Sequence, residues 1–182
     1  MTERKLTRAA IAAAALVVLN EQGLDPLRLR KVAARLDVKA PSLYWHVADK
    51  NMLLALLAES IFADCLSKIP ACADWRDWLR AFGKALWQAQ NATRDAGRLI
   101  LGAGQPVEVL KAMQDATSAP LIALGLEPER AMMMQASVQA LVTGWTTFAQ
   151  GPNAAYLQSQ LPIDTAFVEG LDALIHGLDP AP

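Results

Sequence analysis

Apolar residues recur three or four positions apart, the spacing of a helix, through almost the whole chain of 182 residues. The signals of β-structure are nearly absent, because β-branched residues seldom cluster and the hairpin dipeptides Asn-Gly and Asp-Gly do not occur. Residues that begin or end helices stand between the periodic stretches. The sequence therefore predicts an all-α protein, long enough to bury its own core without metals or disulfides.

Four helices are predicted in the first third of the chain. Thr7 is placed to cap the first helix, and Gly23 to end it. Asp49 is placed to cap the fourth helix, which Pro70 ends. The predicted ranges are 8–22, 29–36, 40–46 and 50–69.

The rest of the chain is also predicted to be helical. Asp74 is placed to cap one helix, and Asp164 to cap the last. A Gly-rich break is expected at 102–106 and a poorly defined linker at 156–162. The predicted helices between these points are 75–90, 94–101, 107–124 and 127–150.

Charge divides the chain into two parts. Residues 1–50 carry nine Lys or Arg and five acids, whereas residues 51–182 carry eight basic and thirteen acidic residues. A basic head on an acidic body favours a polyanionic partner at the head. Charge alone leaves chance scatter as an equal alternative.

The arrangement of the first helices favours DNA as that partner. Two short helices joined by the turn 37–39 form a helix-turn-helix, whose second helix enters the DNA major groove. The aromatic string Tyr44-Trp45-His46 follows the start of that helix and is too large to be buried entirely by so small a unit. Alternatively, Trp45 fills a gap against the fourth helix and His46 is a surface or capping histidine. The candidate DNA-binding residues are Arg30, Lys31, Lys39, Ala40, Pro41, Ser42, Tyr44, Trp45, His46 and Lys50.

Residues 6–57 closely resemble the N-terminal domain of the TetR (tetracycline-repressor) family of transcriptional regulators, near the tetracycline-repressor branch. The resemblance lies in Leu19-Asn20-Glu21-x-Gly23, in Arg30-Lys31-Val32-Ala33-x-x-Leu36-x-Val38, and in Pro41-Ser42-Leu43-Tyr44-Trp45-His46-Val47-x-x-Lys50. It implies a DNA-binding domain at 1–48 and a helical effector-binding and dimerisation domain at 49–182. It further implies a homodimer, joined through the last helix and the long helix before it. This dimer would bind a palindromic operator, act most often as a repressor, and be released by a small molecule.

The resemblance also places the effector pocket, and there the chain departs from the branch. The position implied for a metal-binding histidine is occupied by Ile100, and the two histidines, His46 and His176, stand elsewhere. We therefore expect no metal and an uncharged, apolar effector rather than tetracycline. A Met run on a long helix is equally compatible with core packing. The candidate ligand-binding residues are Phe82, Leu86, Gln90, Ile100, Ala103, Met113, Met134, Val138 and Trp145.

An enzyme and a small-molecule-binding protein are the two alternatives to a transcriptional regulator. No nucleophile-base pair, phosphate loop or dinucleotide motif is visible, so we expect neither catalytic residues, nor a cofactor, nor enzymatic activity. The alternative to a regulator is a helical small-molecule-binding protein without specific DNA binding.

The location of the protein is predicted from what the chain lacks. The apolar run from Ala9 to Leu19 follows basic residues, as in a signal peptide, but it is Ala-rich and has no small-x-small site at its end. It is also far shorter than the ~20 residues that span a bilayer. Cys65 and Cys72 form no disulfide framework. We expect a cytoplasmic protein with no membrane partner.

Overall fold

The computed structural model describes residues 6–102, 104 and 106–178, and over these residues it contains helices and no strand. The all-α prediction is confirmed. The helices are α1 (Arg8–Gln22), α2 (Leu29–Arg35), α3 (Ala40–Tyr44), α4 (Lys50–Ser67), α5 (Trp75–Asn91), α6 (Ala96–Gly102), α7 (Val107–Ala123), α8 (Pro128–Ala149), α9 (Ala154–Gln160) and α10 (Ile163–Gly177).

The first three helices and the start of α4 share one core. Ile11 and Leu19 of α1, Val32 of α2, Leu43 of α3 and Leu57 of α4 are fully buried. α2 and α3 are too short to be stable alone, so burial of this common core holds them in place. α3 is consequently fixed by Leu43, whereas its residues Pro41, Ser42 and Tyr44 face outward.

The helix caps expected from the sequence fall where they were predicted. The Thr7 hydroxyl accepts a hydrogen bond of 3.1 Å from the Ala10 amide. Asp49 accepts one of 2.8 Å from the Met52 amide, and Asp74 one of 2.8 Å from the Asp77 amide. These side chains satisfy amides that have no partner within the helix, which explains why α1, α4 and α5 begin at these points.

The second half of the chain is built around α5, α8 and α10. Trp78 stacks on Phe82 within α5, with ring centroids 5.2 Å apart. Trp87 of α5 stacks on Phe167 of α10 at 4.4 Å. Val138 of α8 is fully buried. Large aromatic side chains therefore form much of this core, as expected from the area that each of them buries.

The connector between α5 and α6 ties the two halves together. Asp95 accepts a hydrogen bond of 2.8 Å from the Leu24 amide, just after α1. The Arg94 amide donates one of 2.8 Å to the side chain of Asn20. Arg98 of α6 pairs with Asp25 at 2.9 Å. The end of α1 is thus held by the second half as well as by its own core.

Two of the sequence predictions were wrong. Residues 154–160 form α9 rather than a linker, and the residues that follow, 163–177, form α10. Asp164 is not the cap of α10, because Pro162 precedes its first residue and Asp164 lies in its first turn. There Asp164 accepts a hydrogen bond of 3.2 Å from the indole of Trp87. The remaining helix ends coincide with the predicted ends or differ from them by at most two residues, as at frayed termini.

Candidate DNA-binding surface and effector cavities

The outward side of α3 and the turn after it presents two large aromatic side chains to solvent. Trp45 is 90% exposed and Tyr44 is 51% exposed. Leu43 and Val47 are buried and hold the segment in place. Contact of an apolar indole with water is unfavourable, and the folded monomer does not bury this side chain. The finding excludes the alternative in which Trp45 fills a gap against α4.

Part of the predicted DNA-binding set comes together beside Tyr44. Arg30, Tyr44 and Lys50 line one shallow depression of about 570 Å³, together with Arg28 and Asp49. Arg30 is exposed and, within the part of the chain that the structure describes, has no ion pair or hydrogen bond. A cationic side chain without an internal partner is available to bind an anion.

The turn between α2 and α3 sets the start of α3. Asp37 adopts a positive φ of 56°, which Asp tolerates better than most residues. The Val38 amide then donates a 3.0 Å hydrogen bond to the Ala33 carbonyl. Lys39 follows as the N-cap of α3 and is exposed, as are Pro41 and Ser42.

Three of the predicted DNA-binding residues make contacts within the protein. Ala40 is partly buried and packs against the core of the first three helices. The ammonium of Lys31 donates to the side chain of Gln22. The ammonium of Lys50 lies 3.5 Å from the Leu24 carbonyl oxygen. His46 is exposed at the end of the aromatic string.

Two adjoining cavities lie in the second half, against α4. The first, of about 370 Å³, is lined by α4 and α7 and opens to solvent. The second, of about 380 Å³, is lined by α4, α7 and α8 and also opens to solvent. Phe62, Met113 and Thr117 line both cavities, so the two spaces are neighbours. Each volume falls within the range of small-molecule pockets, about 300–1,000 Å³.

The polar residues of the cavities lie at different ends. Glu59 and Glu108 line the first cavity. Gln114, Gln135 and Gln139 line the second. The side-chain amide of Gln135 donates a 2.9 Å hydrogen bond to that of Gln139. An apolar centre with convergent polar groups at the ends is the usual composition of a ligand site.

Among the predicted ligand-binding residues, Met113 lines both cavities. Gln90 is fully buried, and its amide donates a 3.2 Å hydrogen bond to Thr143. Ile100 and Trp145 are partly buried against the core, and Ala103 lies outside the described residues. The other four are buried in the core and line neither cavity: Phe82, Leu86, Met134 and Val138.

Sequence reasoning missed the contribution of α4 to the cavities. Glu59, Phe62 and Ala63 all line the first one. The available signal was Glu59, the only charged residue between positions 51 and 63 of an otherwise apolar helix. A carboxylate in such a stretch is costly to bury and so indicates a specific role.

The described residues contain no group of three His, Cys, Asp or Glu side chains that could hold a metal ion. None of the helices they form is long and apolar enough to cross a membrane.

Comparison with known proteins gives consistent matches over the chain. The profile of the family described as "Bacterial regulatory proteins, tetR family" matches residues 11–57. The class G tetracycline repressor protein of Vibrio anguillarum is 31% identical over 199 aligned residues, which cover 96% of this chain and 94% of that protein. The class A tetracycline repressor protein from transposon 1721 of Escherichia coli is 42% identical over 100 residues, 54% of this chain and 46% of that protein.

A solved structure matches at similar length. It is a TetR variant of Acinetobacter baumannii AYE in complex with minocycline. Its TM-score is 0.77 at 35% identity, over 95% of this chain and 96% of that chain. The similarity therefore includes both the helix-turn-helix and the helical domain that follows it.

Proposed function

Because this chain belongs to the tetR family of bacterial regulatory proteins, a ligand-responsive class that binds operator DNA as homodimers, we propose that it is a repressor that reads its operator through α3. The observation that carries the proposal is the 90% exposure of Trp45, which directly follows Tyr44, the aromatic residue that lines a basic depression with Arg30 and Lys50. Exposed aromatic and cationic side chains on one small unit suit a phosphate backbone and the groove between its strands.

Different residues are proposed to do different work on DNA. Tyr44, Trp45, His46 and Lys50 contact the phosphates and fix the position of α3. Pro41 and Ser42, exposed near its start, face the base edges. Arg30 is the candidate for a guanine, because Arg binds its major-groove edge with two hydrogen bonds. Lys31, Lys39 and Ala40 complete the proposed surface, with Ala40 restricted to contact with a thymine methyl.

We propose that the two cavities form the effector site and that α4 transmits its occupancy. α4 starts at Lys50, directly after the DNA-binding unit, and its residues Glu59 and Phe62 line the cavities. Two copies of α3 must lie roughly 34–36 Å apart to enter successive major grooves. An effector that binds better to a form with another spacing lowers the affinity for the operator by that preference.

The division of the chain follows from this mechanism. Residues 1–48 form the proposed DNA-binding domain and residues 49–182 the effector and dimerisation domain. The ligand-binding residues proposed from the sequence remain in the proposal, with Met113 supported by its place in both cavities. We propose that the other ligand-binding residues of that set influence effector binding through their packing around the cavities.

The minocycline complex concerns a relative, and we propose a different effector here. Minocycline is bound by the Acinetobacter protein, which is 35% identical to this chain. Ile100 stands here where the resemblance implies a metal-binding histidine. An aliphatic side chain offers no lone pair to a metal, so the effector is proposed to be a mainly apolar molecule that needs no metal.

Two further proposals follow from the regulatory role. Because the operator is the partner, the protein is proposed to work in the cytoplasm. It is also proposed to have no enzymatic activity, since occupancy of the cavities alone changes DNA affinity in this mechanism.

The test is a titration with duplexes that the protein itself selects from a random library, compared with scrambled duplexes at two salt concentrations. A preference of about a thousandfold or more, with affinity falling as salt rises, is expected of a specific regulator. Arg30→Ala and Tyr44→Ala should each weaken binding, while Lys84→Ala, an exposed cation on α5, should not. Equal affinity for both duplexes would instead support a helical ligand-binding protein without specific DNA recognition.

A further inference from the structure

The charged residues that line the two effector cavities are all negative. Among the described residues, Glu59 and Glu108 line the first cavity, no charged residue lines the second, and neither lining includes a Lys, Arg or His. We infer that the effector is a hydrophobic cation, an amine or quaternary ammonium on an apolar skeleton, whose charge binds Glu59. This inference rests on the proposed function, since it names the class of molecule that releases the DNA, and it replaces the uncharged effector expected from the sequence with a charged one.

The carboxylate of Glu59 is poorly compensated within the protein. Its Oε1 atom is buried and accepts no hydrogen bond from the described residues. Its Oε2 atom accepts one long hydrogen bond, 3.4 Å, from the guanidinium of Arg8. A carboxylate removed from water needs close partners to offset its lost hydration. A ligand cation would supply the missing partner.

The shape of the site suits an amphiphilic amine. Phe62 and Met113 line both cavities and provide an apolar surface between the carboxylate end and the amide end. Aromatic rings and thioethers bind cations and apolar skeletons alike. An anionic ligand would be repelled by Glu59, and a neutral ligand would leave its charge as poorly compensated as before.

Glu59 also connects the site to the DNA-binding unit. Its partner Arg8 is the first residue of α1, and the two side chains join α1 to α4. A cation bound at Oε1 of Glu59 shares the carboxylate with Arg8, which binds Oε2, and its charge repels the guanidinium. Binding therefore weakens one tie between α1 and α4, and this is the differential contact that couples an effector to DNA affinity.

The experiment is equilibrium dialysis of the full-length protein with 2-(1-naphthyl)ethylamine and with the matching neutral alcohol, at neutral pH. The wild type is expected to bind the amine about tenfold more tightly or better, the value of one hydrogen bond to a charged group. Glu59→Gln should abolish most of this preference. Glu129→Gln is the matched control, because Glu129 is exposed at the start of α8 and lines neither cavity.

Arg8→Met tests the same inference in the opposite direction. Removing the repelling guanidinium should tighten amine binding several-fold and leave binding of the alcohol unchanged. The amine should also lower operator affinity in the wild type and not in Glu59→Gln. The Arg8→Met result does not depend on the behaviour of the Glu59 variant, so a loss of folding in one of them still leaves a decisive measurement.

The outcomes separate this inference from the proposed function. Equal binding of amine and alcohol, no binding of the amine, or an unchanged preference in Glu59→Gln would overturn the cationic effector. Specific DNA binding by the unliganded protein would stand in each of those cases. Failure of specific DNA binding would overturn the proposed function, whichever probe the cavities prefer.

Discussion

At the scale of single residues, the two cysteine thiols differ in access to solvent. Cys65 is fully buried, and burial raises its pKa to about 12. The pKa of the partly exposed Cys72 thiol is also raised, by desolvation and then by Asp77 and Asp74. Only the thiolate is a good nucleophile, so both should react slowly at neutral pH.

We expect iodoacetamide to label Cys72 before Cys65 in the folded protein. Cys65 should become reactive only when urea unfolds the chain. Mass spectrometry of peptides after timed labelling checks the order. Fast labelling of Cys65 without denaturant would mean that α4 and α5 separate readily in the native state.

Gly23 combines a positive φ with a close neighbour from another segment of the chain. It has a φ of 85°, and a Cβ atom there would lie 3.1 Å from the Asp95 carboxylate. Gly23→Ala should destabilise the protein by about 1–3 kcal/mol, the range for such backbone conformations in other residues. It should also disturb the hydrogen bond between Asp95 and the Leu24 amide.

Gly125→Ala is the control for Gly23→Ala. Gly125 also has a positive φ, 96°, but a Cβ atom there would meet no other atom within 4 Å. Urea unfolding should therefore show the larger loss for Gly23→Ala, and hydrogen exchange of the Leu24 amide should accelerate only in that variant. Equal losses, with equal exchange, would show that the contact with Asp95 contributes nothing.

At the scale of elements, α6 is attached to the connector between α1 and α2 by one exposed ion pair. The hydrogen bond and charge of Arg98 lower the pKa of Asp25. A carboxyl with a lowered folded-state pKa stabilises the fold above its unfolded pKa, about 3.9 for Asp. That contribution is lost as the pH falls through the lowered folded value.

Arg98→Met should return the pKa of Asp25 towards its ordinary value. Carbon-detected NMR titration of the Asp25 carboxyl measures the change directly. In the same variant, the free energy of unfolding should no longer include the part that Asp25 contributes above its pKa. At low pH, where Asp25 is protonated, the variant should be as stable as the wild type. An unchanged Asp25 pKa would mean that the pair is not formed in solution.

Elements with strong local signals were the ones that the sequence could predict. The capped helices α1, α4 and α5 begin where Thr7, Asp49 and Asp74 indicated. α9 was missed because it buries no residue and has no side-chain cap, so neither periodicity nor a start signal marks it. Asp164 failed as a predicted cap because its side chain accepts from Trp87, 77 residues away, a contact that no local pattern contains.

The candidate sites show the same limit. The exposed Tyr44 and Trp45 could be inferred because a small helical unit has room for only one inward face. The cavities could not, because Phe62 of α4, Met113 of α7 and Gln135 of α8 meet only after three distant helices pack. Phe82 lies in the core and Phe62 in a cavity wall, but both stand in apolar helical sequence. The sequence pattern therefore does not distinguish a core residue from a cavity residue.

At the scale of the whole molecule, the family to which the chain belongs acts as a homodimer, and α8 and α10 are the helices that the resemblance places at the interface. Phe148 of α8 is 62% exposed, and Trp145 next to Gly144 is only partly buried. A Cβ atom at Gly144 would meet no atom within 4 Å in the protomer. We propose that a partner helix covers this apolar face.

Gly144→Arg should convert the dimer to a monomer, because the larger side chain fits the isolated protomer but prevents close approach of a second helix. Analytical ultracentrifugation checks the mass, and circular dichroism checks that the helices remain. Ala71→Arg, at an exposed position between α4 and α5, should stay dimeric. A monomeric Gly144→Arg should bind a single half-site far more weakly than the wild type binds its full operator, because one α3 cannot span two major grooves. A dimeric Gly144→Arg that keeps full operator affinity would exclude Gly144 from the interface.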